Sequence, residues 1–368
     1  MDPKIRRNIF LNAHADGLKK RMNAHLDMLK FSPRFNAPKH ALIIGGSSGY
    51  GFASRLVLAN QGTHTVSVSF EKPPGNDKTG SAGYWNNTHF MTAFSTGHVD
   101  LNQDAFAAST KADVIAYYKE RGVTIDLIIY SLAAGARPGA DGELVRSALK
   151  PIGEAYSGMH LDVASRKLSD ITLEPASQKE IADTVYVMGG SDFYDWVKTC
   201  DEAGLLSDSV KAVTFSYVGG PITKPIYRDG ALGKAKDDLE AYTYQLNEYL
   251  QARGGEAIVA RLKAIVTKAS MFIPGIATYG GLLFDEMMKR GVHETTLEHV
   301  ERLFRDNLYG TQRIYDSEGR ICLDTFELDP AIQAAVKARF ENAGEEILMA
   351  KGMQAFIDEF YQINGFNI

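Results

Sequence analysis

The chain has 368 residues, of which 45% are hydrophobic and 23% charged, the balance of a globular protein with a sizeable buried core. A formal net charge of −5, without any block of like charge, gives no footprint for nucleic acid or an anionic membrane. Two cysteines, Cys200 and Cys322, are too few for a disulfide framework and favour a reducing cytoplasm. The most apolar stretch, residues 265–284, contains Lys268 and Pro274, so we expect buried loop and helix there, not a membrane span.

Strand-like runs alternate with helical stretches along the chain. The first strand is predicted at residues 41–44; it ends in a glycine-rich turn, and a helical stretch at residues 50–61 follows. Further strands are predicted at residues 65–70, 126–130, 212–217 and, more weakly, 257–260. This alternation is typical of βαβ units and predicts an α/β fold of the Rossmann type, a doubly wound parallel sheet.

Long additional stretches exceed what a minimal Rossmann domain needs. The largest are residues 144–182 and 293–368. Within the second, Glu318-Gly319 predicts the turn of a small hairpin over residues 316–323. No Pro/Ser-rich linker is visible, so we expect a single decorated domain whose N-terminal, central and C-terminal additions form a lobe that covers the substrate. The expected divisions are a core of residues 40–290 and accessory segments 1–39 and 291–368.

The glycine-rich turn after the first strand is the first chemical signal. Gly45, Gly49 and Gly51 have the spacing G-x-x-x-G-x-G. The first permits the tight turn, the second lets the backbone approach a pyrophosphate, and the third lets the helix pack close to the sheet. The helix N-terminus then offers N–H groups and a positive dipole end to phosphates. A turn without a ligand is the alternative, but its place between strand and helix favours dinucleotide binding; the missing Gly-Lys-Ser/Thr ending argues against an NTPase.

An acidic residue, Glu71, ends the second strand about 20 residues past the glycine turn. A carboxylate there can accept hydrogen bonds from the adenosine ribose and would repel a 2′-phosphate, which favours NADH over NADPH. Lys72 next to it offsets part of that repulsion. Asp104-Ala105 follows the next strand region and is a weaker candidate for the adenine edge.

A tyrosine and a lysine follow the strand at residues 212–217. Tyr227 and Lys236 are separated by Gly230 and Gly233, so we expect Tyr227 before a helix and Lys236 in its first turns. A reductase needs a donor at the oxygen where negative charge develops, and a nearby ammonium would lower the pKa of a tyrosine. From the residues alone, Lys234 remains a rival for Lys236. Tyr217 is a second hydroxyl at the strand end.

These motifs resemble the trans-2-enoyl-CoA reductases and the related long enoyl-acyl-carrier-protein reductases, which carry Tyr-x8-Lys and are atypical members of the short-chain dehydrogenase/reductase superfamily. The resemblance covers nearly the whole chain. The matching stretches are residues 45–51, 70–73, 104–106, 130–133, 149–154, 187–190, 216–217, 225–236, 266–270 and 360–366.

The resemblance implies roles for individual residues. The implied cofactor residues are Gly45, Gly46, Ser47, Ser48, Gly49 and Tyr50 at the pyrophosphate, Phe70 and Glu71 at the adenosine, Asp104, Ala105, Leu132 and Ala133 along the cofactor, and Ile265, Val266 and Thr267 at the nicotinamide. Tyr217 would touch the substrate, Tyr227 would donate the proton, and Lys236, preferred on this basis over Lys234, would bind the cofactor. Residues 269–284 would form part of the acyl pocket.

The chain departs from the family pattern at four points. It is somewhat shorter than is typical, residues 134–137 replace a Ser-Pro, and no cysteine follows His14 at the usual place. Lys268 stands where a glutamine is usual and borders the implied active site, so it bears on substrate range or rate more than on reaction type. The implied reaction is NADH-dependent reduction of a trans-2-enoyl thioester of coenzyme A or acyl carrier protein.

Two alternatives remain at this stage. A carbonyl reductase of the same superfamily is disfavoured because such enzymes carry Tyr-x3-Lys, and a non-catalytic NADH sensor is disfavoured by the intact Tyr227–Lys236 pair. The nine histidines show no metal-ligand spacing, so no metal is expected. We expect a cytoplasmic monomer or weak dimer with no nucleic-acid partner and no membrane span.

Overall fold

A computed structural model describes the whole chain, residues 1–368. The strands are β1 Ile5–Arg6, β2 Ile9–Phe10, β3 His40–Ile44, β4 His64–Ser69, β5 His98–Asn102, β6 Ile125–Tyr130, β7 Ala136–Pro138, β8 Leu144–Arg146, β9 Tyr156–Asp162, β10 Lys167–Leu173, β11 Leu206–Ser216, β12 Glu256–Arg261 and β13 Ile321–Cys322. The α-helices are α1 Ala15–Leu29, α2 Gly49–Asn60, α3 Ala82–Ala93, α4 Ala108–Arg121, α5 Gln178–Met188, α6 Ser191–Glu202, α7 Ala231–Gln251, α8 Ile276–Lys289, α9 Thr296–Arg302, α10 Pro330–Glu341 and α11 Lys351–Gln362.

Seven parallel strands form the central sheet in the order β13-β12-β11-β6-β3-β4-β5. Strand β3 is the first of them along the chain; β4 and β5 follow on one side, and β6, β11 and β12 on the other. This is the doubly wound Rossmann order, so the predicted fold class is confirmed. Successive strands are added to one side of β3 up to β5 and to its other side from β6 onward. At this reversal between β3 and β6, a crevice opens at the carboxyl ends of the two strands.

The five predicted strands are all present, and in four of them both the first and the last residue lie within one residue of the prediction. In β3, residues 41–44 are fully buried, as expected for a strand that helices cover on both faces. Strand β11 differs: it starts earlier, at Leu206, through an irregular ladder with β6, and it ends at Ser216. Tyr217 therefore lies in the loop that follows the strand, at the mouth of the crevice.

Three apolar clusters hold these elements together. Leu56 of α2 belongs to the cluster on one face of the sheet, and Trp196 of α6 to the cluster on the other face. The third cluster surrounds α8 and combines Leu161 from the β9–β10 hairpin with Phe356 from α11; Phe10 of β2 packs against it. The N-terminal, central and C-terminal additions thus meet in one lobe, as predicted. In none of the helices do length and apolar composition suffice to cross a membrane.

The predicted hairpin at residues 316–323 is present as a tight turn. The N–H of Gly319 donates to the carbonyl of Asp316, and Tyr315 bridges Ile321 in antiparallel fashion. Its second arm is β13, which also pairs in parallel with β12 and adds the last strand to the central sheet. The sequence did not predict this pairing, because it joins segments that are distant along the chain.

Candidate active site

The glycine turn after β3 is held at the switch point of the sheet. Gly45 has a φ of +88° and its N–H donates to the carbonyl of Val68 in β4 at 2.8 Å. A Cβ at Gly45 would meet the carbonyl oxygen of Ser131, directly after β6. A Cβ at Gly46 would overlap the hydroxyl of Ser67. Only glycine fits these positions, so the backbone is left exposed to the crevice with no side chain in between.

The first turn of α2 has free donors. Ser48 is the N-cap residue, but its side chain makes no capping hydrogen bond, so the first N–H groups of the helix remain available to an anion. A Cβ on Gly51 would overlap the carbonyl oxygen of Gly45, so this glycine brings the helix close to the sheet. The side chain of Tyr50 points away from the crevice: its hydroxyl donates to the carbonyl of Lys263 at 2.7 Å. Any contact of Tyr50 with a cofactor is therefore left to its backbone.

Glu71 lies beside the glycine turn. Its carboxylate accepts hydrogen bonds from the hydroxyls of Ser47 and Ser81, each at 2.6 Å, and it covers Gly83 at the start of α3. The ring of Phe70 is 78% exposed next to it. A fixed carboxylate and an exposed aromatic face, both at the end of β4, suit the ribose and the base of an adenosine.

The remaining predicted cofactor residues are distributed around the same crevice. The carboxylate of Asp104 accepts the N–H of Phe106 and so holds its own turn, while Ala105 is buried. Leu132 is half-buried and Ala133 exposed, directly after β6. These positions border the switch point between β3 and β6, but the side chain of Ala105 packs into the protein and leaves only backbone for a ligand.

The loop after β12 closes the crevice from the opposite side. Ile265 and Val266 are buried, and the methyl group of Thr267 lies 3.0 Å from the position that a Cβ on Gly49 would occupy. A cavity of about 1080 Å³ runs along this side of the glycine turn; its lining includes Ser48, Gly49, Glu71, Thr267 and Lys268. The cavity has the size for a dinucleotide, but neither Tyr217 nor Tyr227 is among the residues that line it.

Tyr217 and Tyr227 both lie in the loop between β11 and α7, and Lys236 lies in α7. The rings of the two tyrosines pack edge to face with centroids 4.8 Å apart. Tyr227 precedes α7 and Lys236 lies in its second turn, because a Cβ on Gly233 would overlap the carbonyl oxygen of Arg228 and only glycine lets the loop fold back so tightly. The Lys236 ammonium donates to the carbonyl of Phe215 at 3.0 Å, whereas exposed Lys234 pairs with Asp237 on the surface.

The two tyrosine hydroxyls differ in their partners. The hydroxyl of Tyr217 donates to the carboxylate of Glu327 at 2.8 Å and lies 3.2 Å from the hydroxyl of Thr223. The hydroxyl of Tyr227 makes no hydrogen bond within the chain and is not sealed off from the site. It is therefore the donor that a substrate oxygen would find free.

The expectation that a lysine lowers the pKa of Tyr227 is wrong for this structure. Burial raises the pKa of Tyr227, and the neighbouring cation that opposes the rise is Arg228, not Lys236. Burial also lowers the pKa of Lys236 to about 8, against the favourable charge of Glu240. Tyr227 consequently stays protonated at neutral pH and can act as a hydrogen-bond and proton donor.

Sequence reasoning missed Glu240, which is hydrogen-bonded to the residues adjacent to Tyr217 and Tyr227. Its buried carboxylate accepts two hydrogen bonds from Arg228, each at 3.0 Å, one from the Ser216 hydroxyl at 2.7 Å and one from Arg320 at 3.0 Å. Arg228 follows Tyr227, Ser216 precedes Tyr217, and Glu240 itself lies one helical turn after Lys236. The available signal was a charged residue on the otherwise buried stripe of α7.

Three family models match consecutive parts of the chain. The NAD(P)H binding domain of trans-2-enoyl-CoA reductase matches residues 1–76, and the trans-2-enoyl-CoA reductase catalytic region matches residues 78–309. The enoyl reductase FAD binding domain matches residues 315–368.

Known proteins are similar over the full length. The enoyl-[acyl-carrier-protein] reductase [NADH] 1 of Photobacterium profundum is 41% identical over 376 residues, covering 100% of this chain and 94% of that protein. The trans-2-enoyl-CoA reductase of Treponema denticola, solved with NAD, aligns with a TM-score of 0.94 at 37% identity and covers 100% and 95% of the two chains. A Clostridium trans-2-enoyl-CoA reductase solved with NADH aligns at 0.96 and 33% identity with the same coverage. The resemblance drawn from the motifs is thus confirmed: the chain belongs to the trans-2-enoyl-CoA reductase family.

Proposed function

We propose that Tyr227, Tyr217 and Lys236 carry out the reaction of this protein, which is the NADH-dependent reduction of the C2–C3 double bond of trans-2-enoyl thioesters. When bound, NADH supplies the hydride. The observation that supports the assignment best is the unpartnered hydroxyl of Tyr227 beside Tyr217 and α7. A free donor in a partly buried position is what the developing enolate oxygen of the thioester requires.

Each residue has a distinct task in this proposal. Tyr227 stabilises the negative charge on the thioester oxygen and delivers a proton; because burial keeps it neutral, it acts by donating its hydrogen bond. Lys236 donates one of its three ammonium N–H groups to the carbonyl of Phe215, which leaves two for the cofactor ribose. Its charge is lost as the pH rises through about 8, so turnover should decline there. Tyr217 adds a second contact to the substrate.

The glycine turn and the residues around it hold the cofactor. The N–H groups at the start of α2 receive the pyrophosphate, helped by the positive end of the helix dipole. Glu71, fixed by Ser47 and Ser81, receives the ribose hydroxyls and disfavours the extra phosphate of NADPH. Phe70, Asp104, Ala105, Leu132, Ala133, Ile265, Val266 and Thr267 complete the proposed cofactor site.

The C-terminal residues do not fit a flavin, although one matching model is described as FAD-binding. The start of α10 is capped by the carboxylate of Asp329, which accepts the N–H groups of Ala331 and Ile332. In the first turn of α11, the N–H of Gly352 donates to Asp285. Carboxylates already occupy the helix N-termini where a pyrophosphate would bind, and the apolar faces of both helices are buried against α8. We assign no step to a flavin.

Acyl thioesters are the substrates that family membership supports, and the named relatives include both carrier types, acyl carrier protein and coenzyme A. We propose that the chain works in the cytoplasm as a monomer or weak dimer and forms one decorated domain with its core at residues 40–290. Its two cysteines are free and buried, which suits a reducing compartment.

The test is the oxidation of NADH by purified protein with crotonyl-CoA, for the wild type and for Tyr227→Phe. We expect kcat to fall by about 10²- to 10⁴-fold, the usual contribution of a positioned acid. NADH affinity, measured by fluorescence, should stay within a few-fold. Tyr244→Phe, on the more exposed side of α7, is the matched control and should behave as wild type. Undiminished turnover by Tyr227→Phe would remove Tyr227 from the reaction; absence of turnover by the wild type would favour the sensor or the carbonyl reductase.

A further inference from the structure

A buried carboxylate lies behind Tyr217. Glu327, in the C-terminal segment, is fully buried. Its Oε1 accepts hydrogen bonds from the hydroxyls of Tyr217 at 2.8 Å and Tyr279 at 2.7 Å, and its Oε2 accepts the backbone N–H of Ala264 at 2.6 Å. The side chain of Gln333 completes this hydrogen-bond network: its amide donates to the hydroxyl of Tyr279 at 3.0 Å and to the backbone carbonyl of Glu327 at 2.7 Å.

The protonation state of Glu327 decides whether the hydroxyl of Tyr217 can donate a hydrogen bond to a substrate. A tyrosine hydroxyl has one proton. When Glu327 is ionised, that proton is committed to Oε1, and Tyr217 offers a substrate oxygen only lone pairs. When Glu327 carries a proton, Oε1 becomes a donor, and the hydroxyl of Tyr217 can accept from it and turn its own proton elsewhere.

The arrangement also fixes where the acid proton goes. Oε2 faces the N–H of Ala264, which is a donor, so a proton on Oε2 would have no acceptor and would break that bond. At Oε1, two oxygens are in reach. The hydroxyl of Tyr279 already accepts from Gln333, whereas that of Tyr217 has only the hydroxyl of Thr223 beside it. Tyr217 is therefore the preferred acceptor.

We propose that Glu327 is a positioning residue that, in its neutral acid form, directs the hydroxyl proton of Tyr217 toward the thioester oxygen of the substrate. The inference rests on the proposed function, in which Tyr217 contacts that oxygen. Ionisation of Glu327 withdraws the second donor and leaves Tyr227 as the only one. The C-terminal segment, which contains no residue of the glycine turn or of the Tyr-x8-Lys motif, thereby controls the hydrogen bonding of the site.

The surroundings favour the acid form. Burial raises the pKa of Glu327, and the bonds from Ala264, Tyr279 and Tyr217, together with the charge of Lys263 after β12, oppose the rise only in part. In the same loop, burial raises the pKa of Asp324 to about 6, and Glu327 adds to that rise. Tyr50 of α2, whose hydroxyl donates to the carbonyl of Lys263, is a neutral phenol, since burial and then the charge of Glu327 raise its pKa. The activity that depends on neutral Glu327 is present below its folded pKa and lost as the pH rises through it.

Glu327→Gln tests the inference, because the amide imitates the protonated acid. Its oxygen can accept the N–H of Ala264, and its NH₂ group can then donate to Tyr217 and Tyr279. We expect kcat with crotonyl-CoA to stay within threefold of wild type at acidic pH, and the Glu327-dependent decline of kcat at higher pH to disappear. The decline that belongs to Lys236 should remain. An unchanged pH profile, or the same loss of kcat at every pH, would overturn the inference.

Tyr279→Phe provides a second, independent readout. It removes one of the bonds that stabilise the carboxylate but leaves Tyr217 in place, so the pKa of Glu327 should rise and the decline should move to higher pH. Tyr279→Phe tests the inference even if Glu327→Gln fails to fold. A decline of kcat at the same pH as in the wild type would contradict the inference. Glu286→Gln is the matched control: this carboxylate on α8 is also buried, but its bonds are to Lys289, Arg290 and Arg339.

Tyr227→Phe, measured over the same pH range, separates the two levels of the argument. Wild-type turnover by Tyr227→Phe would refute the proposed function, and the inference with it. Lost turnover by Tyr227→Phe combined with a wild-type profile for Glu327→Gln would refute the role of Glu327 alone.

Discussion

The glycine turn at residues 45–51 follows β3 and the tyrosine site at residues 217–236 follows β11, and the two regions are built differently. The turn is defined by its backbone: it has positive φ angles, no Cβ atoms at its glycines and N–H groups without a side-chain cap, the features on which its proposed phosphate-binding role rests. The tyrosine site is defined by side chains: buried Glu327 accepts a hydrogen bond from Tyr217, and buried Glu240 accepts hydrogen bonds from Ser216 and Arg228 next to the two tyrosines.

The two regions also differ in the sequence separation of the residues that they bring into contact. In the turn, Gly51 meets Gly45 across six positions of local sequence. At the tyrosine site, Tyr217 and Glu327 are 110 residues apart, and Glu240 and Arg320 are 80 apart. We therefore expect the glycine turn to be disrupted by a change in local backbone geometry. We expect the tyrosine site to be disrupted by the removal of a charge on a residue that is distant in sequence.

The largest effect is expected at Glu240. Glu240→Gln removes the charge that Arg228 and Arg320 share, and removal of one partner from a buried ion pair costs about 3–5 kcal/mol. The free energy of unfolding, measured with urea, should fall by that order. Glu248→Gln, at an exposed position of the same helix, should leave it unchanged.

The same variant has a pH signature that a purely structural role would not produce. Glu240 raises the pKa of Lys236, which burial otherwise lowers to about 8. Without that charge, the pKa of Lys236 falls further, and the alkaline decline of kcat should move to lower pH. A decline that stays in place would show that Glu240 supports the fold but not Lys236.

The next largest effect is expected at Gly51. In Gly51→Ala, the new methyl group overlaps the carbonyl oxygen of Gly45, so α2 must move away from the turn. Displacements of about 1 Å can cost 10²-fold, so we expect the KM for NADH to rise by about that factor, with a smaller change in kcat. Gly75→Ala, where a Cβ meets nothing within 4 Å, is the control. An unaltered KM for NADH would mean that the turn does not hold the pyrophosphate.

The smallest effect is expected at Glu71, which sets a preference and not the reaction. Glu71→Gln still accepts from one of Ser47 and Ser81 through its amide oxygen and can donate its NH₂ group to the hydroxyl oxygen of the other, but it removes the charge opposite a 2′-phosphate. The ratio of kcat/KM for NADPH to that for NADH should rise about tenfold, equivalent to about 1.4 kcal/mol of lost repulsion. The measurement is parallel kinetics with both cofactors. A constant ratio would assign cofactor choice to other residues.

Local patterns predicted much of the fold and part of the site. The apolar run at residues 41–44 and the glycines after it indicated a strand, a tight turn and a helix, because these elements depend on neighbours in sequence. The break at Gly230 and Gly233 likewise predicted that Tyr227 precedes α7. The residues alone left Lys234 and Lys236 open; the structure places Lys234 on the surface and Lys236 against the carbonyl of Phe215.

By itself, the sequence determined the order of strands and helices, the glycine turn and the membership of Tyr217, Tyr227 and Lys236 in one segment, because each of these follows from residue types at short spacing. Only the tertiary structure decided that the pKa of Tyr227 is raised and which partners its neighbours bind. The physical reason is that burial sets the pKa of a tyrosine or a carboxylate, and burial is a property of the packed chain. Glu240 and Glu327 acquire their partners Arg320 and Tyr217 only when segments 80 and 110 residues apart are brought into contact.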